Sequence, residues 1–136
     1  MMKIRGAGGM ALGEREALNL WRRALVSYVR TSDGDLTARQ QAILMTVALS
    51  AGPHTVRGLA ENLSLAKPAV TRALDALEKS GFVRRRRDEN DLRSVFIERT
   101  VEGMAWLRSF AGLVMAAEAG DEAAVTSVDK SREAAA

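Results

Sequence analysis

Residues 55–99 constrain the fold more than any other stretch, because their apolar period changes from helical to alternating within one continuous segment, TVRGLAENLSLAKPAVTRALDALEKSGFVRRRRDENDLRSVFIER. Val56, Leu59 and Leu63 recur at i, i+3 and i+7, which gives a first short helix one apolar face. Val70, Ala73, Leu74 and Leu77 repeat the pattern in a second helix, and Gly81 stands where a helix stops. The opposite face of that second helix carries Lys67, Ala69, Thr71, Arg72 and Ala76. It is small, polar and basic near its start, which suits an element that enters a DNA major groove. A helix built to meet only water usually carries more Glu and Lys there, although an ordinary solvated face is the plainer alternative.

The residues after the second helix weigh against that alternative. Phe82 and Val83 lead into Arg84, Arg85, Arg86 and Arg87, then a polar turn Asp88-Glu89-Asn90-Asp91, then Arg93 and Val95-Phe96-Ile97. Two β-rich runs around a turn signal predict a hairpin. Guanidinium groups suit phosphate oxygens and narrow minor grooves. Four in a row repel one another unless an anionic partner or local carboxylates offset them. Side chains alternate along a strand, so about half of the run reaches either surface. Helix-turn-helix followed by a basic hairpin is the pattern of a winged helix, far more specific together than either part. The predicted fold class is therefore mostly α with a small β-hairpin wing.

Over roughly residues 14–118 the chain resembles the MarR-type winged-helix transcription regulators. The carrying features are Leu36-Thr37-x-x-Gln40, Leu59-Ala60-x-x-Leu63, Val70-Thr71-Arg72, and Leu74-x-x-Leu77-Glu78-x-x-Gly81-Phe82-Val83. Arg86-Arg87-Asp88-x-x-Asp91-x-Arg93 and Thr100-x-x-Gly103 complete them. The resemblance implies a homodimer in which the first and last helices of two protomers interlock around a winged-helix domain. It implies binding to double-stranded DNA at a pseudo-palindrome with half-sites about one helical turn apart. By the same resemblance Asp91 orients Arg93 through a charge-assisted pair, and Arg93 enters the minor groove. The expected DNA-binding set is Lys67, Ala69, Thr71, Arg72, Arg84, Arg86, Arg87, Asp91 and Arg93. A small-molecule effector between the dimer helices and the winged domain is also implied, with Trp21, Tyr28, Met45 and Trp106 as candidate lining residues or equally as core. Two positions depart from the family pattern. Leu92 stands where many members carry arginine, and Ala66 at the start of the recognition helix lacks a side-chain acceptor, which weakens that end by about 1 kcal/mol. Pro68 offsets part of this, because its fixed φ suits the first helical turn.

At 136 residues the chain is expected to hold one domain with one modest core. Its 47% hydrophobic content is mostly Ala, Leu and Val, which favours helices, and the 4% aromatic content leaves few ring anchors. The formal charge is only +3, but its distribution is uneven. From Glu118 onward five acids meet two bases, a net −3, so the rest carries +6 and its densest positive run is the wing. With no cysteine, disulfides, thiolate zinc sites and thiol-based sensing are excluded. No apolar run approaches the roughly 18 residues of a membrane span, and MMKIRGAGGMALG lacks an apolar signal core, so the expected location is cytoplasmic. No phosphate loop, paired metal ligands or nucleophile elbow is present. His54 is the single histidine. The reading is of a non-enzyme without cofactor.

In chain order, residues 1–13 read as a flexible lead-in, with Met10 an alternative start. Residues 14–118 form the winged-helix domain with its flanking dimerisation helices, the core reader being 55–99. Glu14 to about Arg30 is helical, with Leu18, Trp21, Leu25 and Tyr28 or Val29 on one face and Trp21 a packing anchor. Thr37 with Gln40 is a capping box before Ile43, Leu44, Val47 and Ala48, and Gly52-Pro53 ends that helix. Thr55 is the next N-cap. From Thr100 to about Ala119, one stripe holds Met104, Leu107, Ala111, Val114 and Met115; a second holds Trp106, Phe110, Leu113 and Ala117. Two apolar stripes predict burial on two sides, hence a second chain. The Ala-rich acidic tail, 119–136, is a short helix or frayed. The function expected is a homodimeric repressor; the alternative is a winged-helix protein-interaction module that binds another regulator or a polymerase subunit.

Overall fold

A computed structural model of the chain describes residues 12–120. Most of the expected lead-in and of the Ala-rich tail lies outside the described residues. The chain divides into two compact units, one of residues up to Asp35 together with those from Phe110 on, the other Leu36–Ser109. The elements are α1 (Glu14–Thr31), α2 (Ala38–Leu49), α3 (Val56–Leu63), α4 (Lys67–Lys79), β1 (Val83–Arg87), β2 (Val95–Arg99) and α5 (Val101–Ala119).

In the Leu36–Ser109 unit, the helix ends are set by local hydrogen bonds. Thr37 Oγ1 accepts from the Gln40 N–H at 3.1 Å while Gln40 Oε1 accepts from the Thr37 N–H at 3.0 Å, the reciprocal capping box. Thr55 Oγ1 accepts from the Gly58 N–H at 3.0 Å and starts α3. Helix α2 stops at Leu49, ahead of Gly52-Pro53, and α4 starts behind Ala66 with no side-chain cap and Pro68 in its first turn. Between α3 and α4, Ser64 adopts the left-handed conformation (φ 53°, ψ 43°), and the Leu65 N–H returns to the Ala60 carbonyl at 2.9 Å. That turns the chain sharply enough for the two helices to pack. Gly81, at φ +78°, ends α4 where side chains rarely fit.

The apolar stripe of α4 is the centre of this unit's core. Val70, Leu74 and Leu77 are fully buried with Ile43 and Leu44 of α2, Leu59 of α3 and Val83 of β1, and Ile97 and Leu107 complete the cluster. Strands β1 and β2 pair antiparallel, from Val83 opposite Arg99 to Arg87 opposite Val95. His54 extends this hairpin by a single bridge, its carbonyl accepting from the Ile97 N–H at 2.8 Å, while its ring lies 3.1 Å from the Ser50 carbonyl. Its role here is structural.

The other unit corrects one expectation. Helix α1 buries Ala24, Ser27 and Tyr28, while Leu18, Trp21 and Val29 are 70%, 54% and 64% exposed. Trp21 is therefore not a packing anchor within the chain. The Tyr28 ring meets Phe110 of α5 edge-on at 5.8 Å, and Arg23 Nη1 donates to the Ala117 carbonyl at 3.4 Å. Helix α5 buries residues of both stripes, Leu107 of the first and Phe110 and Ala117 of the second, while Ala111 and Met115 of the first are exposed.

The Thr100-x-x-Gly103 pair has a steric basis. Thr100 Oγ1 donates to the Gly81 carbonyl at 2.6 Å and accepts from the Gly103 N–H at 2.9 Å, tying the start of α5 to the turn after α4. A methyl group at Gly103 overlaps the Phe82 carbonyl, which is backbone and cannot swing aside. Gly103→Ala is expected to destabilise the protein by about 1–3 kcal/mol in urea denaturation, as overpacking of a closed contact does.

Candidate nucleic-acid interface

Burying one face of α4 leaves the other to solvent. Lys67, Thr71 and Arg72 are exposed, and Ala69 and Ala76 are half-buried. Ala69 and Arg72 line an open groove of about 490 Å³ with Thr37, Arg39 and Gln40 from the start of α2. Arg39 belongs beside the expected set and was not in it. It is remote from the reader in sequence, and only the capping box, which starts α2 at that point, signals its place.

The register of the hairpin sorts the four arginines. Residues directly opposite in an antiparallel pair project to the same face. Arg84 faces Glu98 and Arg86 faces Phe96, so these four share one face, while Arg85 and Arg87 lie on the other. On the first face Arg84 Nε and Nη2 donate to Glu98 Oε2 at 3.0 and 2.9 Å, and Arg86 Nε donates to Glu98 Oε1. The Arg86 guanidinium lies 5.2 Å from the centre of the Phe96 ring, within cation–π range. The hydrogen bond from Arg86 and then that from Arg84 hold the Glu98 carboxyl below its ordinary range, and Glu98 in turn raises Arg86. The stabilisation from these pairs is complete above the ordinary glutamate range. It is lost as pH falls through the lowered folded-state value.

Arg85 turns the other way. Its Nη2 donates to Asp75 Oδ1 at 2.8 Å and to the Thr71 carbonyl at 3.4 Å, and its Nη1 lies 3.6 Å from Glu78 Oε1. A strand of the wing is thereby clamped to α4, which fixes the hairpin against the helix that carries Thr71 and Arg72. Arg87 and Arg93 are exposed and have no carboxylate within 4.0 Å among the described residues.

The turn between the strands is ordered by its acids. Asp88 Oδ1 accepts from the Asn90 N–H at 2.9 Å, and the Asp88 N–H donates to the Ser94 carbonyl at 2.9 Å. Asp91 Oδ1 accepts from the backbone N–H of Arg93 at 3.1 Å, and Ser94 Oγ donates to Asp91 Oδ2 at 3.4 Å. This corrects the expected charge-assisted pair. Asp91 holds the backbone of Arg93 and leaves its guanidinium unpaired by a carboxylate among the described residues. A carboxylate two residues before an N–H closes an Asx turn more readily than it reaches a long side chain pointing away. Leu92, between them, is 68% exposed.

The four candidate effector residues divide between the units. Trp21 and Tyr28 belong to one, and Met45 and Trp106 to the other, where Met45 packs on the core and Trp106 lies 6.0 Å from Phe82 between ring centres. Tyr28 donates its hydroxyl to the Gly34 carbonyl at 3.2 Å.

Because the Asp75–Arg85 pair joins helix to wing, Asp75→Asn is expected to speed amide hydrogen exchange in residues 83–99. Global stability should fall by less than about 1 kcal/mol, since Asp75 is 60% exposed.

Comparison with known proteins agrees with this geometry. The MarR family model matches residues 36–95. No match is found among curated proteins. Among solved structures, a mutant of S. aureus MepR bound to an oligodeoxyribonucleotide is 22% identical, covering 71% of this chain and 69% of that one, with a TM-score of 0.63. The transcriptional regulator Tm0710 from Thermotoga maritima is 23% identical over 88% of this chain and 86% of its own, with a TM-score of 0.62. The adhesin competence repressor AdcR from Streptococcus pyogenes is 26% identical over 74% and 72%, with a TM-score of 0.54. Among the described residues, five helices and an antiparallel hairpin stand in the order of winged-helix regulators. Residues 36–95 match the MarR family model, and the described residues have the winged helix-turn-helix fold of the MepR and Tm0710 structures.

Proposed function

We propose that the protein is a homodimeric repressor that reads a pseudo-palindromic site in double-stranded DNA. The observation that carries this reading is the clamp of Arg85 onto Asp75 and Glu78. It holds an exposed basic helix face and a wing bearing two cations without carboxylate partners as one surface. Lys67, Thr71 and Arg72 of α4 enter the major groove, where Thr71 and Arg72 meet base edges and the small Ala69 allows close approach. Arg93, its backbone held by Asp91, enters the adjacent minor groove. Arg87, and Arg39 at the start of α2, hold phosphates. Phosphate contacts set register; the helix supplies sequence.

The exposed stripe of Leu18, Trp21 and Val29 on α1, with Met115 on α5, supports a dimer. Apolar side chains spaced along one helix face ask for a partner, and a two-fold axis would space two recognition helices by a helical turn. Repression follows if such a dimer covers a promoter, the reading favoured by the name of AdcR. The protein acts where the DNA is, in the cytoplasm. A second reading, a protein-interaction module, is favoured by one observation, the exposed apolar Leu92 at the wing tip. Salt separates the two, since DNA binding through several phosphates weakens steeply as salt rises and an apolar contact does not.

Arg93→Ala is expected to weaken binding to the DNA upstream of its own gene by about 1–3 kcal/mol and to lower the salt slope by about 1, with melting temperature unchanged. Fluorescence anisotropy across a salt series reads both, and unchanged affinity sinks the wing assignment. Trp21→Glu is expected to shift the sedimenting species from dimer to monomer; a monomeric parent protein contradicts the homodimer directly.

A further inference from the structure

Glu98 presents to Arg84 and Arg86 what a DNA backbone would present: two negatively charged oxygens held together. One oxygen takes the Nε and Nη2 of Arg84 at 3.0 and 2.9 Å, the other takes Nε of Arg86, and Phe96 supports the second guanidinium from below at 5.2 Å. Both arginines remain accessible, with side chains 68% and 53% exposed, while the carboxylate between them is only 26% exposed. Two neighbouring cations at a solvent-facing strand surface, gathered on one inward-held anion, make a phosphate subsite already occupied by the protein's own side chain.

We infer that Glu98 is a specificity-determining residue, whose carboxylate fills a phosphate subsite formed by Arg84 and Arg86 and keeps both from the DNA backbone. The inference rests on the DNA-binding reading above and narrows it. The expected roles of Arg84 and Arg86 as phosphate contacts are withheld in the native protein, and Arg87 and Arg93 act alone on the wing. The intramolecular pair persists against DNA because Glu98 stands opposite Arg84 in the strand register and needs no association step. Its consequence concerns selectivity. A phosphate contact strengthens binding to every sequence alike, so two further contacts would raise the competition from random DNA without improving base reading. An internal anion removes that competition while Arg86 still covers Phe96.

The test is a salt series of anisotropy titrations with a random-sequence duplex, using the full chain. Glu98→Gln keeps the shape and removes the charge, which frees two guanidinium groups for phosphate. At roughly 0.9 in slope per phosphate, the salt dependence should steepen by about 1.8, and binding near 0.1 M salt should tighten at least about ten-fold. Glu98→Thr, which keeps a residue suited to a strand, should give the same gain. Glu61→Gln, which removes one charge from a pair with Arg57 on α3, should give much less. Adding Arg84→Ala and Arg86→Ala to Glu98→Gln should abolish the gain, whereas the same two changes in the native chain should alter binding little. A Glu98→Gln protein that melts normally yet binds random duplex as the native chain or the Glu61 variant does overturns the inference. So does a gain that survives loss of both arginines. Failure of the native chain to prefer its upstream DNA would count against the regulator reading alone, because the random duplex decides the role of Glu98 separately.

Discussion

Every feature of the reader unit depends on one packing arrangement: the stripe of Val70, Ala73, Leu74 and Leu77 buried against α2, α3 and the base of the hairpin. A helix of 13 residues is marginal in water by itself, and α4 has no side-chain N-cap to help it. Burial of the stripe is what holds it helical. Full burial of one face also determines which residues remain outside, so the same side chains that stabilise α4 aim Lys67, Thr71 and Arg72 at solvent. Stability and exposure are here two faces of a single helix. The polar face is free to vary because the apolar one carries the energetics.

The second constraint is electrostatic. Placing Arg84, Arg85, Arg86 and Arg87 on one strand costs repulsion that an exposed hairpin cannot offset through core packing. The fold answers by alternation and by carboxylates: Glu98 gathers Arg84 and Arg86 on one face, and Asp75 with Glu78 takes Arg85 on the other. These pairs are exposed enough that none contributes much to stability. Their effect is geometric. The clamp at Arg85 joins wing to helix, while the pair at Glu98 decides how much of the positive charge is available to a ligand. A count of arginines in the sequence overstates the cationic surface.

How much was legible in the sequence depends on which signals are local. The caps at Thr37 and Thr55, the stop at Gly81 and the α4 stripe each rest on residues within about one or two helical turns, and they appear in the structure as read. The hairpin and its polar turn were equally plain. The pairing of Glu98 was not, because it requires the register across the turn, and a shift of one residue would place that carboxylate on the opposite face. The face of α1 was misjudged for a different reason. Large apolar side chains lie on one side and small ones on the other, and hydrophobicity alone favours the former. Only Tyr28 of the expected face is fully buried, beside Ala24 and Ser27, while Leu18 and Trp21 are left outside. The family pattern implies a side-chain pair of Asp91 with Arg93, whereas the carboxylate accepts from the Arg93 backbone N–H, a local turn geometry that the pattern does not encode.

The two kinds of unpartnered surface on this chain differ in what they ask of a partner. Leu18, Trp21 and Val29 are apolar and gain by leaving water, so they suit a lasting contact whose strength changes little with salt. The wing and the outer face of α4 are cationic and gain by releasing counterions, which suits a contact that forms quickly and yields to salt. On the proposed reading, a dimer that searches DNA, binds and lets go needs its subunit contact of the first kind and its DNA contact of the second. Apolar exposure on α1 and guanidinium exposure on the hairpin divide these tasks between different parts of the sequence. That division allows the charge at Glu98 to tune DNA binding without weakening the helices that would hold a dimer together.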